Sequence, residues 1–175
     1  YNILVFDQTL KNNSSVSLVN TNVWRSGNDY DANVTSALFD LNDKKNMWNV
    51  GGNVSFSNII GAGGKNTTGY AHSIYFAKTS GRFNFNIWQD LYNDKYDKSD
   101  FGYFTNNNTM DQGVWAGYNW TKPIGWFNQI RINANGWYSR LVKPIDILRR
   151  KELMYQGSGI NFNFNAQTKK LWWVG

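Results

Sequence analysis

The sequence predicts an all-β protein, an antiparallel up-and-down meander that forms part of a transmembrane β-barrel. Three observations predict it. About ten segments alternate apolar and polar residues with a period of two, the signature of a strand with two different faces. The connections between them alternate in length, short then long, along the whole chain. The composition suits strands: aromatics make up 17% of the residues, whereas Glu, a strong helix former, occurs once, at Glu152. With 175 residues and 41% hydrophobic content, the chain has the size of one domain, and residues 1–175 are expected to form a single barrel segment.

The expected strands run in order. Tyr1 to Thr9 opens the meander and turns through Lys11 to Asn13 into Ser15 to Trp24. After Arg25 to Ala32, the third strand covers Asn33 to Leu41 and turns at Asn42 to Lys45. The fourth, Asn46 to Ser57, sets Trp48, Val50, Val54 and Phe56 against Asn49, Gly51, Asn53, Ser55 and Ser57. Ile59 to Thr67 is read as a longer loop, with Gly61 to Gly64 as flexible linker, before a fifth strand from Thr68 to Lys78. Past the turn Thr79 to Arg82, Phe83 to Tyr92 alternates Phe83, Phe85, Ile87 and Leu91 with Asn84, Asn86 and Asp90. Asn93 to Asn108 is the next long loop, followed by a strand from Thr109 to Trp120. The turn Thr121 to Trp126 leads to Phe127 to Arg140, with Ile130, Ile132, Ala134 and Tyr138 on one side and Gln129, Arg131, Asn133 and Asn135 on the other. Leu141 to Lys151 separates that strand from Leu153 to Asn165, where Ile160, Phe162 and Phe164 oppose three Asn. A last turn, Gln167 to Lys170, precedes a strand beginning at Leu171.

Alternating short turns and long loops fit the periplasmic and outer ends of a membrane barrel, and segments of this length can cross a bilayer at a tilt. Trp48, Trp120, Trp126, Trp172 and Trp173 lie by short turns, while Trp24, Tyr92 and Tyr138 lie by long loops. Such placement matches the two aromatic girdles of an outer-membrane protein; a soluble β-sandwich core is the alternative. Since Tyr1 would lie on the loop side and Gly175 just after an ascending strand begins, a piece of a larger barrel is expected.

Other classes fall away. Mean hydropathy is -0.56 and no apolar run reaches the length of a transmembrane helix. The absence of Cys removes disulfide scaffolds, thiolate metal sites and Cys nucleophiles. A net charge of +6 permits anionic partners, but the polar faces carry Asn and Gly rather than interleaved basic residues, so nucleic acid is not expected.

Two stretches carry a resemblance. Asn12 to Arg25 (NNSSVSLVNTNVWR) with Tyr30 to Asn42 (YDANVTSALFDLN), and Tyr96 to Asn108 (YDKSDFGYFTNNN) ahead of a strand and the turn Thr121 to Trp126, are similar to the C-terminal barrel of a Bacteroidota outer-membrane family known as domain of unknown function 5916. Its most specific part is Asp100, Gly102 and Tyr103, where the family has Asn-Asp ahead of Leu-Gly-Phe; Ser99 replaces the first Asn and Phe101 the Leu. The resemblance implies an outer-membrane barrel that typically follows a carbohydrate-binding-like domain, and it supplies no catalytic residues.

Candidate chemistry is sparse. His72, the single His, shares a face with Tyr70, Ile74 and Phe76 and has no visible partner for nucleophilic or metal chemistry. Asp90 and Asp111 are the nearest carboxyl pair for glycoside chemistry, but they are expected to answer Arg131 across a polar lumen. The loop bearing Asn93, Asp94, Asp97 and Asp100 lacks the Gly and Glu of an EF-hand, and interleaved Lys95 and Lys98 make it a solvated loop. Gly61 to Gly64 lacks the Lys-Ser/Thr of a phosphate-binding loop. Arg149, Arg150 and Lys151 form a basic run that could meet lipopolysaccharide phosphates. Trp88, Trp115, Trp137 and Tyr155 fall on the polar sides of consecutive strands, either filling the interior or forming a track for sugars.

The expectation is therefore a non-enzymatic integral protein of the bacterial outer membrane, without cofactor or metal, acting as surface scaffold, pore or subunit of an envelope assembly. Its partners would be outer-membrane lipid, lipopolysaccharide and other envelope proteins. The competing expectation is a carbohydrate-binding β-protein that uses its aromatic residues.

Overall fold

A computed structural model describes residues 1–27, 29–144 and 154–175. Ten strands form one sheet: β1 Asn2–Thr9, β2 Ser15–Val23, β3 Asp31–Asn42, β4 Trp48–Ala62, β5 Lys65–Lys78, β6 Phe83–Tyr92, β7 Thr109–Trp120, β8 Phe127–Leu141, β9 Tyr155–Thr168 and β10 Trp173–Val174. Each pairs antiparallel with its sequence neighbour, so the spatial order is the chain order. The meander is as the alternation predicts, and the strand bounds depart from the expected ones most at β4, β5 and β9. β1 and β10 stand at opposite edges and do not pair with each other, so the sheet is open. The helical structure among the described residues is one 3-10 turn, Ser99–Phe101.

The turns are fixed by short-range chemistry. Between β3 and β4, the Asp43 carboxylate accepts hydrogen bonds from the backbone N–H groups of Lys45, Met47 and Trp48, and Asn46 takes a positive φ of 49°. The N–H bond from Trp48 is the largest cause holding the Asp43 carboxyl below the usual carboxylate range.

The β4–β5 connection corrects the sequence expectation. Ile59 to Thr67 is not a long loop: β4 and β5 continue past a register shift to the pair Ala62 and Lys65. Gly63 and Gly64 form the turn, with φ of 58° and 73°, a left-handed pair that Gly-Gly adopts without steric cost. The alternation of short and long connections is interrupted there.

The hydrogen-bonded rows climb along the sheet. Ser15, the first residue of β2, shares a row with Asp40, Gly51, Tyr75, Trp88, Gly113, Trp137 and Gly159, so the row that leaves β2 at its end meets β8 deep inside the strand. This stagger is what tilted strands in a curved wall require.

The two faces differ over β4 to β9, whereas β1 to β3 are mixed: Asn20, Asn22, Asn33 and Thr35 share the face of Val54 and Phe56, and Val5, Val19, Val34 and Leu38 share that of Ser55 and Ser57. One face carries Phe6, Leu18, Val50, Phe76, Ile87, Val114, Ile132, Ile160 and Phe162, all exposed; Ile160 and Phe162 are 77% and 75% accessible. No second layer covers them among the described residues. At the short-turn end of this face, Trp48 stacks on Phe76 at 5.5 Å and meets Phe85 at 6.1 Å, and Tyr118 packs on Trp120 at 4.4 Å. Towards the loop end come Tyr70, His72, Gln89, Gln112 and Tyr138. The other face is built of Ser, Asn, Gly and Asp with a few aromatics over β4 to β9 and adds Ile3, Val5, Val19, Val34 and Leu38 on β1 to β3; its small residues Ala32, Ser55, Ser57 and Ala71 are buried.

What buries them is the loop 93–108, which folds back over the polar face. Tyr96 is buried, and its backbone runs so close to β5 that a Cβ on Gly69 would lie 2.2 Å from the Tyr96 Cα. The Asp97 N–H donates to the Ser57 hydroxyl at 3.0 Å. Tyr92, Tyr96 and Phe104 form an aromatic cluster with centroids 5.6–5.8 Å apart.

Candidate functional site

The climbing row is also where the aromatic side chains of the polar face gather. Along it, every glycine has a ring as cross-strand partner: Gly51 beside Tyr75, Gly113 between Trp88 and Trp137, and Gly159 beside Trp137, while Tyr75 and Trp88 face each other directly. Each ring lies over its glycine. An added Cβ would fall 2.4 Å from the Tyr75 hydroxyl at Gly51, 2.5 Å from the Trp88 ring at Gly113, and 2.6 Å from the Trp137 Nε1 at Gly159. Trp137 also covers Gly157, and Trp115, one outward-to-inward step along β7, covers Gly117. Glycine in a strand interior costs stability unless its open space is used; here that space is filled by a neighbour's ring.

Trp88, Trp115 and Trp137, with Asp111 and Asn135, line a cleft of about 310 Å³ on this face. The structure thus brings together three of the four aromatics predicted as a track. The fourth, Tyr155, is elsewhere. A bulge between Ser139 and Arg140 shifts the β8–β9 register, so Tyr155 pairs with Arg140 instead of continuing the polar face. Its ring meets Tyr138, 5.8 Å away, on the apolar face. Tyr75 was not anticipated; its signal was Gly51 and the cross-strand spacing.

The remaining candidates are dispersed. Asp90 and Asp111 are directly opposed across β6 and β7, but Arg131 pairs with Asn119 and Asn165 near the opposite end of the strands, so it does not answer them. His72 Nε2 lies 2.9 Å from Gln89 Oε1 on the apolar face. Asn93 accepts the Tyr70 N–H, Asp94 pairs with Lys143 at 2.7 Å, Asp97 accepts the Ser99 N–H, and Asp100 pairs with Arg25 and receives the Tyr30 hydroxyl at 3.3 Å. These acids serve separate contacts and do not converge. Among the described residues no cluster of three His, Cys, Asp or Glu is placed to hold a metal ion. Arg149, Arg150 and Lys151 lie outside the described residues.

The contacts of the loop 93–108 are electrostatic at its rim. Lys143 donating to Asp94 holds that carboxyl below the usual carboxylate range, against an opposing effect of burial. Asp100 raises the Tyr30 phenol by its charge, and burial raises Tyr96 while its hydrogen bond with Ser55 opposes the shift.

The family model described as Domain of unknown function (DUF5916) matches residues 1–175. The chain belongs to the DUF5916 family. No curated protein and no solved structure matches it. Within this DUF5916 chain, the loop that carries Asp100, Gly102 and Tyr103 is the one that folds over the polar face and ties Asp100 to Arg25. The glycine-seated rings lie on the same face, farther from the loop end of the strands.

Proposed function

We propose that the chain is part of the wall of a transmembrane β-barrel in a bacterial outer membrane, with the apolar face towards lipid, and that it acts without catalysis as surface scaffold, pore or subunit of an envelope assembly. The observation that carries this reading is the uncovered apolar face, which runs from Phe6 on β1 to Phe162 on β9 and over β4 to β9 lies opposite a face rich in Asn, Ser and Gly. In water such a surface, continuous over nine strands, would drive association; in a bilayer, hydrocarbon tails replace the missing layer. Aromatic groups towards both ends of that face and the staggered register fit the same reading.

The polar face then lines the interior, and the loop 93–108 narrows it near the outer rim. The test is fractionation of cells producing the protein with its native flanking sequence. The protein is expected in the outer-membrane fraction, resistant to an alkaline wash, and shifted in gel mobility on heating. Release by the wash, or solubility without detergent, would overturn the reading.

A further inference from the structure

The geometry points to the Trp88, Trp115 and Trp137 cleft as a binding site for a neutral saccharide of one or two sugar rings. The inference concerns the polar face alone and does not depend on what covers the apolar one. Each indole occupies the space a side chain would fill at a glycine: Trp88 at Gly113, Trp115 together with the Asn133 amide at Gly117, and Trp137 at Gly157 and Gly159, so all three rings lie low against the sheet. Trp137 is 49% exposed. Together the three rings line a cleft of about 310 Å³, near the lower end of the size range of small-molecule sites.

The chemistry selects the ligand. The electron-rich face of an indole attracts the weakly positive C–H groups on the flat side of a sugar ring. Asp111 and Asn135, at the edge of the cleft, supply the acceptors and the amide donor that hydroxyl groups require. Asp90, directly opposite Asp111, adds a second carboxylate, which disfavours phosphorylated and acidic ligands. A quaternary ammonium ion would be the rival occupant of aromatic rings near carboxylates, but it is recognised by rings that stand as walls around it. Rings lying over the sheet's own glycines make a floor.

The test is saturation-transfer NMR on the full chain in polyoxyethylene-ether micelles, because glycoside headgroups resemble the sugar probes and methylated amine headgroups resemble choline. Maltose, cellobiose and choline are the probes. Saturation is expected to reach the ring C–H protons of a disaccharide and not the choline methyls. Trp137→Ala should weaken disaccharide binding about tenfold, whereas Trp137→Phe, which keeps a ring over Gly159, should retain most of it. Trp126→Ala, on a turn outside the cleft, should leave it unchanged. No transfer to either disaccharide, preferential transfer to choline, or equal binding by Trp137→Ala and the parent protein would overturn the proposal. Because the readout is ligand binding and not membrane insertion, its failure is distinguishable from failure of the membrane reading.

Discussion

Replacing Ile132 by Lys separates a lipid-facing wall from a packed protein layer. Ile132 lies on the apolar face of β8, cross-strand from Tyr118 and Phe164. It stands midway between Trp126, in the short turn, and Tyr138, towards the loop end. A strand residue rises about 3.3 Å, and at a tilt of about 40° climbs about 2.5 Å along the membrane normal, which places Ile132 about 15 Å from either limit. In a lipid-facing wall that is the middle of the hydrocarbon. A Lys there should cost ~2 to 4 kcal/mol, and at Tyr138, near the interface, at most ~1 kcal/mol. Asn133 is adjacent in sequence but on the other face, paired with Gly117 and Asn163, so Asn133→Lys should stay within ~0.5 kcal/mol of the parent. Urea unfolding in lipid vesicles reads all three variants. Equal costs for Ile132→Lys and Asn133→Lys would mean that both faces meet similar surroundings, and the lipid assignment would fail.

Three further predictions concern the loop 93–108. Gly69→Val places a Cβ 2.2 Å from the Tyr96 backbone and should cost about 1 to 3 kcal/mol or lift the loop, seen as faster tryptic cleavage after Lys95 and Lys98. Arg25→Gln removes the charged partner of Asp100, and amide exchange across residues 93–108 should accelerate while β4 and β5 remain protected. The Asp94 carboxyl should titrate below an ordinary Asp, with Lys143→Met moving its midpoint upward. Because the folded value is the depressed one, the Asp94–Lys143 contribution is complete above the ordinary carboxylate pKa of about 4 and is lost as pH falls through the lower folded value.

Most of the sheet was legible because a strand with two unlike faces writes its period into the residues themselves. Trp48 to Phe56 and Ile160 to Asn165 show this most clearly, and both are strands with the expected alternation. The Gly63-Gly64 turn carried a valid hairpin signal, but its flanking residues Ile59 to Thr67 lack clean alternation, which hid the extension of β4 and β5. Tyr155 was misplaced because a bulge changes face without changing residue type, and parity counted back from Asn161 ignores it. The inward fold of the loop 93–108 rests on tertiary contacts, Tyr96 against Gly69 and Asp97 against Ser57, that no local pattern announces. Trp88, Trp115 and Trp137 were legible as a group, since three strands of regular alternation fix their common face; the glycines under Trp88 and Trp137 emerge only when the register joins neighbouring strands, whereas Gly117 follows Trp115 on β7 itself.

The central claim is that one face of this sheet meets lipid and the other meets water. The chain contains no Cys, so single Cys variants along β8 from Gln129 to Tyr138 can each carry one nitroxide label without background. In reconstituted vesicles, collision with oxygen should be high at Ile130, Ile132, Ala134 and Gly136 and low at Arg131, Asn133 and Asn135, with a water-soluble nickel complex giving the opposite pattern. A period of two with these phases is the result the account predicts. Labels immobile and shielded from both reagents on the apolar face would show a protein layer there and contradict it.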